Sequence, residues 1–435
     1  MGNKLLTTGL LACIALLTAC SSSKKGSGKA NALTQLLADT AIANAHAGIL
    51  VQEADNDRII YTLNADKYFV PASNTKLWTM YAALKHLGDS IIGGYVFEGE
   101  DKAVILQSAA DPTFLHQDYA YQPLANILQH AKTVSWLNPD MATTNYGNGW
   151  SWNDYLSTYM APRSSMPMFG NSITFSNESV GITVFPKAAS VFLHQGFIPK
   201  TDSGISVFRS FETPDFTVDY GRNKSVKTTL FPAADAMLKL ASAHFGNEWL
   251  HPEVTILPAL KPVYSQPLDS MLKPLMHRSD NFFAEQTLLM ISQQWFGKMD
   301  EQLVIDSLMK SDLKGMPQPG RWVDGSGLSR YNLFTPGDYV WLLKTMRKQF
   351  SMERLQTILP TGNDGTLTNY YVPLENKLFG KTGTLSGVVS LSGYLYAKSG
   401  KLLLFSTLIN NHNQSSSSAV RRAVEHFLMD VYESN

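Results

Sequence analysis

The sequence predicts a mixed α/β fold in which one antiparallel sheet, flanked by helices, is built from both ends of the chain. Near the N-terminus, apolar runs at 49–51 and 59–61 flank a turn-rich segment, which indicates a β-hairpin. Near the C-terminus, runs at 388–396 and 402–409 indicate a second hairpin. Because strands stand at both ends, we expect the intervening chain to fold outside this sheet.

Two helices accompany the hairpins. Apolar residues between 33 and 41 recur at helical spacing and predict a helix before the first hairpin. Val420, Val424, Phe427 and Val431 predict a closing helix after the second hairpin. The two ends of the chain therefore carry similar patterns.

Composition excludes several classes of protein. The 435 residues include 44% apolar residues and balance 36 Lys and Arg against 36 Asp and Glu. Such a chain is globular rather than disordered, and it lacks the basic excess that is typical of nucleic-acid binding. The early apolar run at 10–17 is far shorter than the roughly 20 residues that a membrane-spanning helix needs.

The first residues are typical of a secretory signal. Residues 1–19 carry a lone Lys4 before the apolar run and are expected to be removed. Leu17-Thr18-Ala19-Cys20 resembles a bacterial lipobox, which would leave a lipidated Cys20 at the new N-terminus. The alternative is an ordinary signal peptide with an incidental cysteine. Residues 20–30 are rich in Ser, Lys and Gly and predict a flexible tether.

A nucleophile is predicted at Ser73, in the segment Pro71-Ala72-Ser73-Asn74-Thr75-Lys76. Apolar residues at helical spacing follow as far as Gly88, so Ser73 is expected to start a helix and to share a face with Lys76. A serine hydroxyl is a poor nucleophile near neutral pH, and a lysine whose pKa is lowered can accept its proton. Free N–H groups at a helix start can also stabilise an oxyanion.

Ser-x-x-Lys alone is uninformative, since it also begins at Ser21, Ser22, Ser270, Ser307 and Ser311. Two further motifs follow Ser73 in order. They are Ser279-Asp280-Asn281 and the only Lys-Thr-Gly of the chain, Lys381-Thr382-Gly383. The three together form the motif set of penicillin-binding proteins and active-site-serine β-lactamases.

Longer stretches make the resemblance more specific. The chain resembles the class C low-molecular-mass penicillin-binding proteins, D-alanyl-D-alanine carboxypeptidase/endopeptidases of the S13 peptidase type. The stretches that carry the resemblance are PASNTKL around Ser73, ADPTF at 110–114, GWSWND at 149–154, APRSS at 161–165, HRSDNFFAEQ around Ser279, DGSGLSRYN at 324–332 and GKTGTLSG around Lys381.

The resemblance implies a domain organisation. A peptidase domain of the serine β-lactamase/DD-peptidase type would comprise residues 31–89 and 266–435. Residues 90–265 would form one or more inserted domains between the first two motifs. Such a protein would face the periplasm, anchored to a bacterial membrane through the lipid on Cys20.

The resemblance also implies roles for the motif residues. Ser73 would attack the carbonyl of a D-alanyl peptide bond, with Lys76 as general base. Ser279 would relay a proton to the leaving amine, and Asn281 would bind the substrate's peptide while holding Lys76. Lys381 would maintain a positive field that disfavours a charge on Lys76.

Substrate binding would fall to the residues after Lys381. Thr382 would hydrogen-bond the carboxylate of a terminal D-alanine or of a β-lactam, and Gly383 would let ligand backbone approach the strand. The oxyanion would lie between the N–H groups of Ser73 and Thr384. The implied partners are peptidoglycan stem peptides and, as covalent inhibitors, β-lactams, with no nucleic acid and no cofactor.

Plainer alternatives remain open from the sequence. Ser73 alone would be interpreted as a helix cap, and Asp324-Gly325-Ser326-Gly327 as a tight structural turn rather than a nucleophile. The ten His residues form no HExxH pair, so no catalytic metal is expected. A β-lactamase and a non-catalytic wall-binding lipoprotein are the other functional hypotheses.

Overall fold

The computed structural model describes residues 31–178, 181–194, 206–219, 225–252 and 258–435. The predicted signal segment, Cys20 and the tether lie outside these residues. The α-helices of the described chain are α1 (Ala32–Ala38), α2 (Lys76–His86), α3 (Pro123–His130), α4 (Ala234–Phe245), α5 (Leu268–His277), α6 (Asn281–Phe296), α7 (Glu301–Lys310), α8 (Pro336–Gln349), α9 (Met352–Ile358) and α10 (Ser418–Ser434).

The β-strands of the same residues are β1 (His46–Glu53), β2 (Ile59–Leu63), β3 (Ser90–Glu98), β4 (Ala103–Ser108), β5 (Thr133–Leu137), β6 (Ser172–Glu178), β7 (Gly181–Phe185), β8 (Ser206–Arg209), β9 (Phe216–Asp219), β10 (Ser225–Thr229), β11 (Glu248–Leu250), β12 (Lys261–Pro267), β13 (Leu378–Leu385), β14 (Val388–Tyr396) and β15 (Leu402–Asn410).

One antiparallel sheet joins the two ends of the chain, as the sequence predicts. Its strand order is β13-β14-β15-β1-β2, and β1 pairs with β15 from His46 opposite Asn410 to Glu53 opposite Leu403. All nine residues of β15 are buried, because helices cover both faces of the sheet. The terminal helices α1 and α10 pack on one face, and α2, α5, α6 and α8 belong to the core on the other.

The middle of the chain forms separate sheets around a core of its own. A mixed five-stranded sheet has the order β11-β5-β4-β3-β12, and smaller sheets are formed by β10-β6-β7 and β8-β9. Strands β3 and β12 are the first and last strands of this region, and they pair antiparallel. The chain therefore leaves the core beside the sheet of the chain ends after α2 and returns to it beside the point of departure.

Most local predictions agree with the structure. Both predicted hairpins form, as β1-β2 and β14-β15, and the closing helix is α10. The first helix is shorter than the 33–41 pattern, since Asp39 adopts an extended backbone and ends it. In the described part of the chain, no helix is both long and apolar enough to cross a membrane.

Candidate active site

Ser73 lies in a 3₁₀ turn, residues 72–75, that leads directly into α2. The sequence predicts that the helix starts at Ser73, whereas regular α-helix begins at Lys76. The turn is anchored from behind by the side chain of Asn74, which donates to the hydroxyl of Ser390 on β14. The hydroxyl of Ser390 in turn donates to the carbonyl of Pro71 at 2.7 Å. The nucleophile candidate is therefore fixed to the central sheet.

Lys76 is fully buried and its Nζ atom has three neighbours. It lies 3.0 Å from Ser73 Oγ, 2.5 Å from Asn281 Oδ1 and 2.6 Å from the carbonyl oxygen of Ser326. The amide and carbonyl oxygens can only accept hydrogen bonds. A neutral amine uses its two N–H groups on these two acceptors, which leaves its lone pair for the hydroxyl proton of Ser73. The contacts therefore suit a neutral lysine acting as a base.

The orientation of the Asn281 amide is fixed by a residue of the inserted region. Its Nδ2 donates to the carbonyl of Tyr159 at 2.7 Å, so Oδ1 has to face Lys76. Asn281 begins α6, and Asp280 caps that helix by accepting from the N–H of Phe283. Ser279 has a φ of 59°, which turns the chain sharply into this cap. The motif is thus both a helix start and a wall of the site.

The pKa of Lys76 is lowered to about 8, and burial is the main cause. Three carboxylates, those of Asp324, Glu285 and Asp280, act in the opposite direction and raise it. A lysine in this state is deprotonated in part of the molecules near neutral pH. That is the condition for a general base.

Lys381 lies on β13, opposite Lys76. Its Nζ donates to Ser279 Oγ at 2.9 Å and to the carbonyl of Thr382 at 2.8 Å. Burial lowers the pKa of Lys381 well below its ordinary value, and repulsion from Lys76 and Arg421 lowers it further. The two lysines therefore resist being charged together. That Lys381 is the charged member of the pair stays a prediction.

The hydroxyl of Thr382 is held by a residue that the sequence analysis missed. Thr382 Oγ1 donates to Thr366 Oγ1 at 2.7 Å, and the carbonyl of Thr366 accepts from Arg421 at 2.6 Å. Arg421 is in turn stacked over the ring of Tyr370, 4.0 Å from its centroid. Thr366 lies 16 residues before Thr382 and outside the three motifs, and nothing in its surroundings predicts this contact.

The turn at 324–327 has the structural role that the sequence predicts, and a chemical contact besides. Asp324 accepts from the N–H groups of Gly327 and Ser329. Gly327 has a φ of +79°, and a Cβ there would lie 1.9 Å from the carbonyl oxygen of Ala72. The turn is therefore pressed against the Ser73 segment, and this brings the carbonyl of Ser326 to Lys76.

A buried ion cluster supports that turn. The Nε and Nη2 atoms of Arg163 lie 2.9 and 2.7 Å from Glu285 Oε2, and Nη1 lies 2.8 Å from Glu301 Oε1. The other oxygen of Glu285 accepts from the N–H of Ser326 at 2.8 Å. Arg163 and Glu285 both occur in stretches that carry the family resemblance. Because charged residues are rarely buried unless they are paired, their position within apolar stretches is a signal that would have identified Arg163 and Glu285 as members of a buried ion cluster.

Gly383 has a structural role that the sequence analysis did not predict. A Cβ at this position would lie 2.2 Å from Ser390 Oγ and 2.9 Å from the nitrogen of Ser73. The missing side chain therefore makes room for the protein's own 3₁₀ turn against β13. The approach of ligand backbone to the strand remains a prediction.

A cleft of about 590 Å³ opens over Ser73. One wall is formed by Ser279 and Asn281 and the other by Thr384 on β13, so Ser73 and Thr384 face the same space. The interpretation of Ser73 as only a helix cap is wrong, because its hydroxyl is next to Lys76 and caps neither the turn nor α2. Within the described ranges, no cluster of three His, Cys, Asp or Glu side chains could hold a metal ion.

Comparisons with known proteins agree with this geometry. The D-Ala-D-Ala carboxypeptidase 3 (S13) family model matches residues 29–197 and 258–431. The chain is 24% identical to D-alanyl-D-alanine carboxypeptidase DacB of Haemophilus influenzae, with 88% of each chain covered. It is 26% identical to a D-alanyl-D-alanine carboxypeptidase of an Actinomadura species, over 89% of this chain and 82% of that protein.

Solved structures show the same fold. The crystal structure of penicillin binding protein 4 from Haemophilus influenzae superposes with a TM-score of 0.76 at 20% identity, covering 93% of this chain and 100% of that chain. A predatory endopeptidase from Bdellovibrio bacteriovorus gives a TM-score of 0.53 at 15% identity, over 89% and 92% of the two chains. Since the family model covers most of the sequence and all three motifs meet at Ser73, this chain belongs to the S13 family of D-Ala-D-Ala carboxypeptidases and is a hydrolase.

Proposed function

We propose that the protein is a serine D,D-peptidase that removes D-alanine from peptidoglycan stem peptides or cuts their D,D cross-links through an acyl-enzyme on Ser73. The observation that carries this proposal is the set of contacts at Lys76. Its two N–H groups are committed to Asn281 and Ser326, so its lone pair is aimed at the hydroxyl of Ser73.

The first chemical step forms one bond and moves one proton. Ser73 Oγ attacks the carbonyl carbon of the D-alanyl peptide bond while Lys76 Nζ takes the hydroxyl proton. The carbonyl oxygen becomes an oxyanion, which the N–H groups of Ser73 and Thr384 stabilise. The cleft position of both residues supports this assignment.

Collapse of the tetrahedral intermediate breaks the carbon–nitrogen bond and releases the amine. The proton that Lys76 took from Ser73 passes through Ser279 Oγ, which accepts from Lys381 Nζ, to this amine, and Lys76 becomes neutral again. Water then attacks the ester carbonyl, and Lys76 takes a proton from it. Lys76 returns that proton to Ser73 Oγ as the ester bond breaks, which regenerates Ser73. Thr382 binds the carboxylate of the leaving residue.

Carboxypeptidase and endopeptidase reactions share this mechanism. They differ in whether the leaving amine belongs to a terminal D-alanine or to the side chain of a diamino acid. β-Lactams present a comparable carbonyl and carboxylate, so they acylate Ser73 and block the site. A solved structure of the Haemophilus influenzae relative is a complex with a β-lactam.

Intact mass spectrometry with excess benzylpenicillin tests the nucleophile and the reaction class together. The wild-type chain is expected to gain one penicillin mass, whereas Ser73→Ala gains none. Lys76→Ala should lose at least about 100-fold in acylation rate, the contribution expected of a general base. A wild-type chain that leaves the drug intact and unbound contradicts the proposal in favour of a wall-binding protein. Hydrolysed drug without an adduct favours a β-lactamase.

We also propose that the protein faces the periplasm and is held at a bacterial membrane by a lipid on Cys20. The lipobox-like sequence before Cys20 supports the anchor. Peptidoglycan lies outside the cytoplasmic membrane, so an exported and anchored chain would meet its substrate there.

A further inference from the structure

A second cavity lies against the catalytic cleft on the far side of the Ser279-Asn281 wall. We name it the side pocket, and define it by His116, Gly170, Lys227, Arg278 and Asp280, which line about 190 Å³. It shares Tyr159, Ser279 and Asn281 with the catalytic cleft. A ligand in the cleft can therefore extend into it without leaving the protein surface.

The side pocket is formed between the two parts of the protein. Lys227 lies on β10 of the inserted region, and Arg278 immediately precedes the Ser279 motif of the peptidase-type core. A neighbouring cavity of about 150 Å³ also contains His116 and Lys227. The two cavities together continue the cleft along the inserted region.

Hydrogen-bond donors in the side pocket are free. Lys227 is exposed on β10 and makes no hydrogen bond or ion pair with any described residue. His116 Nδ1 accepts from the N–H of Asp118 at 3.2 Å, so Nε2 carries the proton. That Nε2 faces Gly170 and has no hydrogen-bond partner among the described residues.

Two carboxylates lie near these donors. Asp280 accepts from the N–H of Phe283 and so caps α6. Asp118 is ion-paired with Nη1 of Arg278, and the remaining N–H groups of that guanidinium have no hydrogen-bond partner in the described chain. Burial is the largest influence on the pKa of His116 and lowers it. The carboxylates of Asp118 and Asp280 raise that pKa, whereas Arg278 and Lys227 lower it, so both cations face the same ring.

We propose that the side pocket is a subsite for a carboxylate of the second peptide in a cross-linked peptidoglycan dimer, bound by Lys227, Arg278 and His116. This rests on the proposed function. A terminal D-alanine ends at its own carboxylate, whereas the diamino acid of a cross-link continues into another peptide with further carboxylates. Ser279, which passes the proton to the leaving amine, is shared by both cavities. The leaving peptide therefore has a path from the reacting bond into the side pocket.

The test compares substrates on the full-length protein. Lys227→Ala should raise KM for a D,D-cross-linked muropeptide dimer by about threefold to tenfold, the range for a partly exposed charged contact, with kcat unchanged. Cleavage of a monomeric pentapeptide should not change. Lys227→Arg should restore the KM, and Lys261→Ala, an exposed lysine on β12, serves as the matched control.

The chemical identity of the ligand is tested by amidation. A dimer is prepared in which the second-peptide carboxylates are amidated, except the one beside the scissile bond that Thr382 binds. This dimer should bind wild type as weakly as the unmodified dimer binds Lys227→Ala, and should not respond to the substitution. Equal effects of Lys227→Ala on monomer and dimer, or no effect on either, would overturn the subsite. Penicillin acylation is measured alongside. If wild type is neither acylated nor active on either substrate, the proposed function itself fails, whatever Lys227 does.

Discussion

The Nζ atom of Lys76 lies 2.6 Å from the carbonyl oxygen of Ser326, a residue 250 positions further along the chain. Through this contact, a backbone carbonyl holds the amine of Lys76 next to the hydroxyl of Ser73. It depends on the turn at 324–327, and the turn depends on Glu285 and Arg163 behind it. The base is therefore positioned by groups that never touch the substrate.

The pH dependence of acylation should report on this arrangement. Because Lys76 has to be neutral and its pKa is about 8, the acylation rate should rise with pH up to about 8 and level off above it. Glu285→Gln removes a charge that raises this pKa, so the rising limb should move to lower pH. Stopped-flow acylation by a fluorescent penicillin between pH 5 and 10 measures the rising limb and the plateau.

Glu285→Gln also disturbs a buried ion pair and should lower the free energy of unfolding by about 3–5 kcal/mol. Asp338→Asn provides the control, since Asp338 is an equally buried carboxylate that caps α8 and does not contribute to the pKa of Lys76. Asp338→Asn should lower the free energy of unfolding, and its acylation rate should rise over the same pH range as that of wild type. If the acylation rate of Glu285→Gln rises over the same pH range as that of wild type, Glu285 does not influence the pKa of Lys76.

Gly327 should be among the least replaceable glycines of the site. Gly327→Ala places a Cβ 1.9 Å from the carbonyl oxygen of Ala72, so the turn or the Ser73 segment has to move. We expect a loss of about 3 kcal/mol or more in the free energy of unfolding, together with slower acylation. Urea denaturation and penicillin acylation measure the two effects.

Gly400→Ala separates the steric clash from backbone strain. Gly400 also has a positive φ, +86°, but nothing lies within 4 Å of its missing Cβ. This variant should lose only about 1 kcal/mol and acylate normally. Equal losses in the two variants would show that the approach of Gly327 to Ala72 is unimportant.

Thr366 should contribute to recognition of the substrate carboxylate. When Thr382 donates to a carboxylate, its oxygen is free to accept from Thr366, which reverses the bond seen without ligand. Thr366→Val removes this return donation and should raise KM for peptides ending in D-alanine by about threefold to tenfold. Thr368→Val is the control, because that hydroxyl bonds only to the carbonyl of Gly365. A KM change of the same size for a C-terminal amide would contradict the assignment.

Membrane attachment is testable independently of catalysis. Cys20→Ser removes the thiol that a lipoprotein pathway would modify, and the mature protein should then appear in the soluble periplasmic fraction. Penicillin acylation of the released protein should be unchanged. Continued sedimentation with membranes would contradict lipidation at Cys20.

The sequence predicts the site well where side chains recur in motifs. The structure brings Ser73, Lys76 and Asn281 together, and Lys381 to Ser279, as the order of the motifs implies. The sequence does not predict the contact between the carbonyl of Ser326 and Lys76, because residue type does not indicate which backbone carbonyl will accept a hydrogen bond. Thr366 was missed because it lies in a short 3₁₀ turn, Gly365–Leu367, outside the motifs, and the residue types of that turn do not indicate a contact with Thr382.

The pairing of β1 with β15 has a consequence for when the protein becomes active. The strand bearing Lys381 joins the N-terminal hairpin through β14 and β15, so nearly the whole polypeptide has to be synthesised before the sheet behind the nucleophile is complete. Such long-range pairing slows folding, whereas the middle region has a core of its own and can order earlier. A chain truncated before residue 402 would contain every motif and still lack a working site. We therefore expect the hydrolase to stay inert until nearly the whole chain has been made.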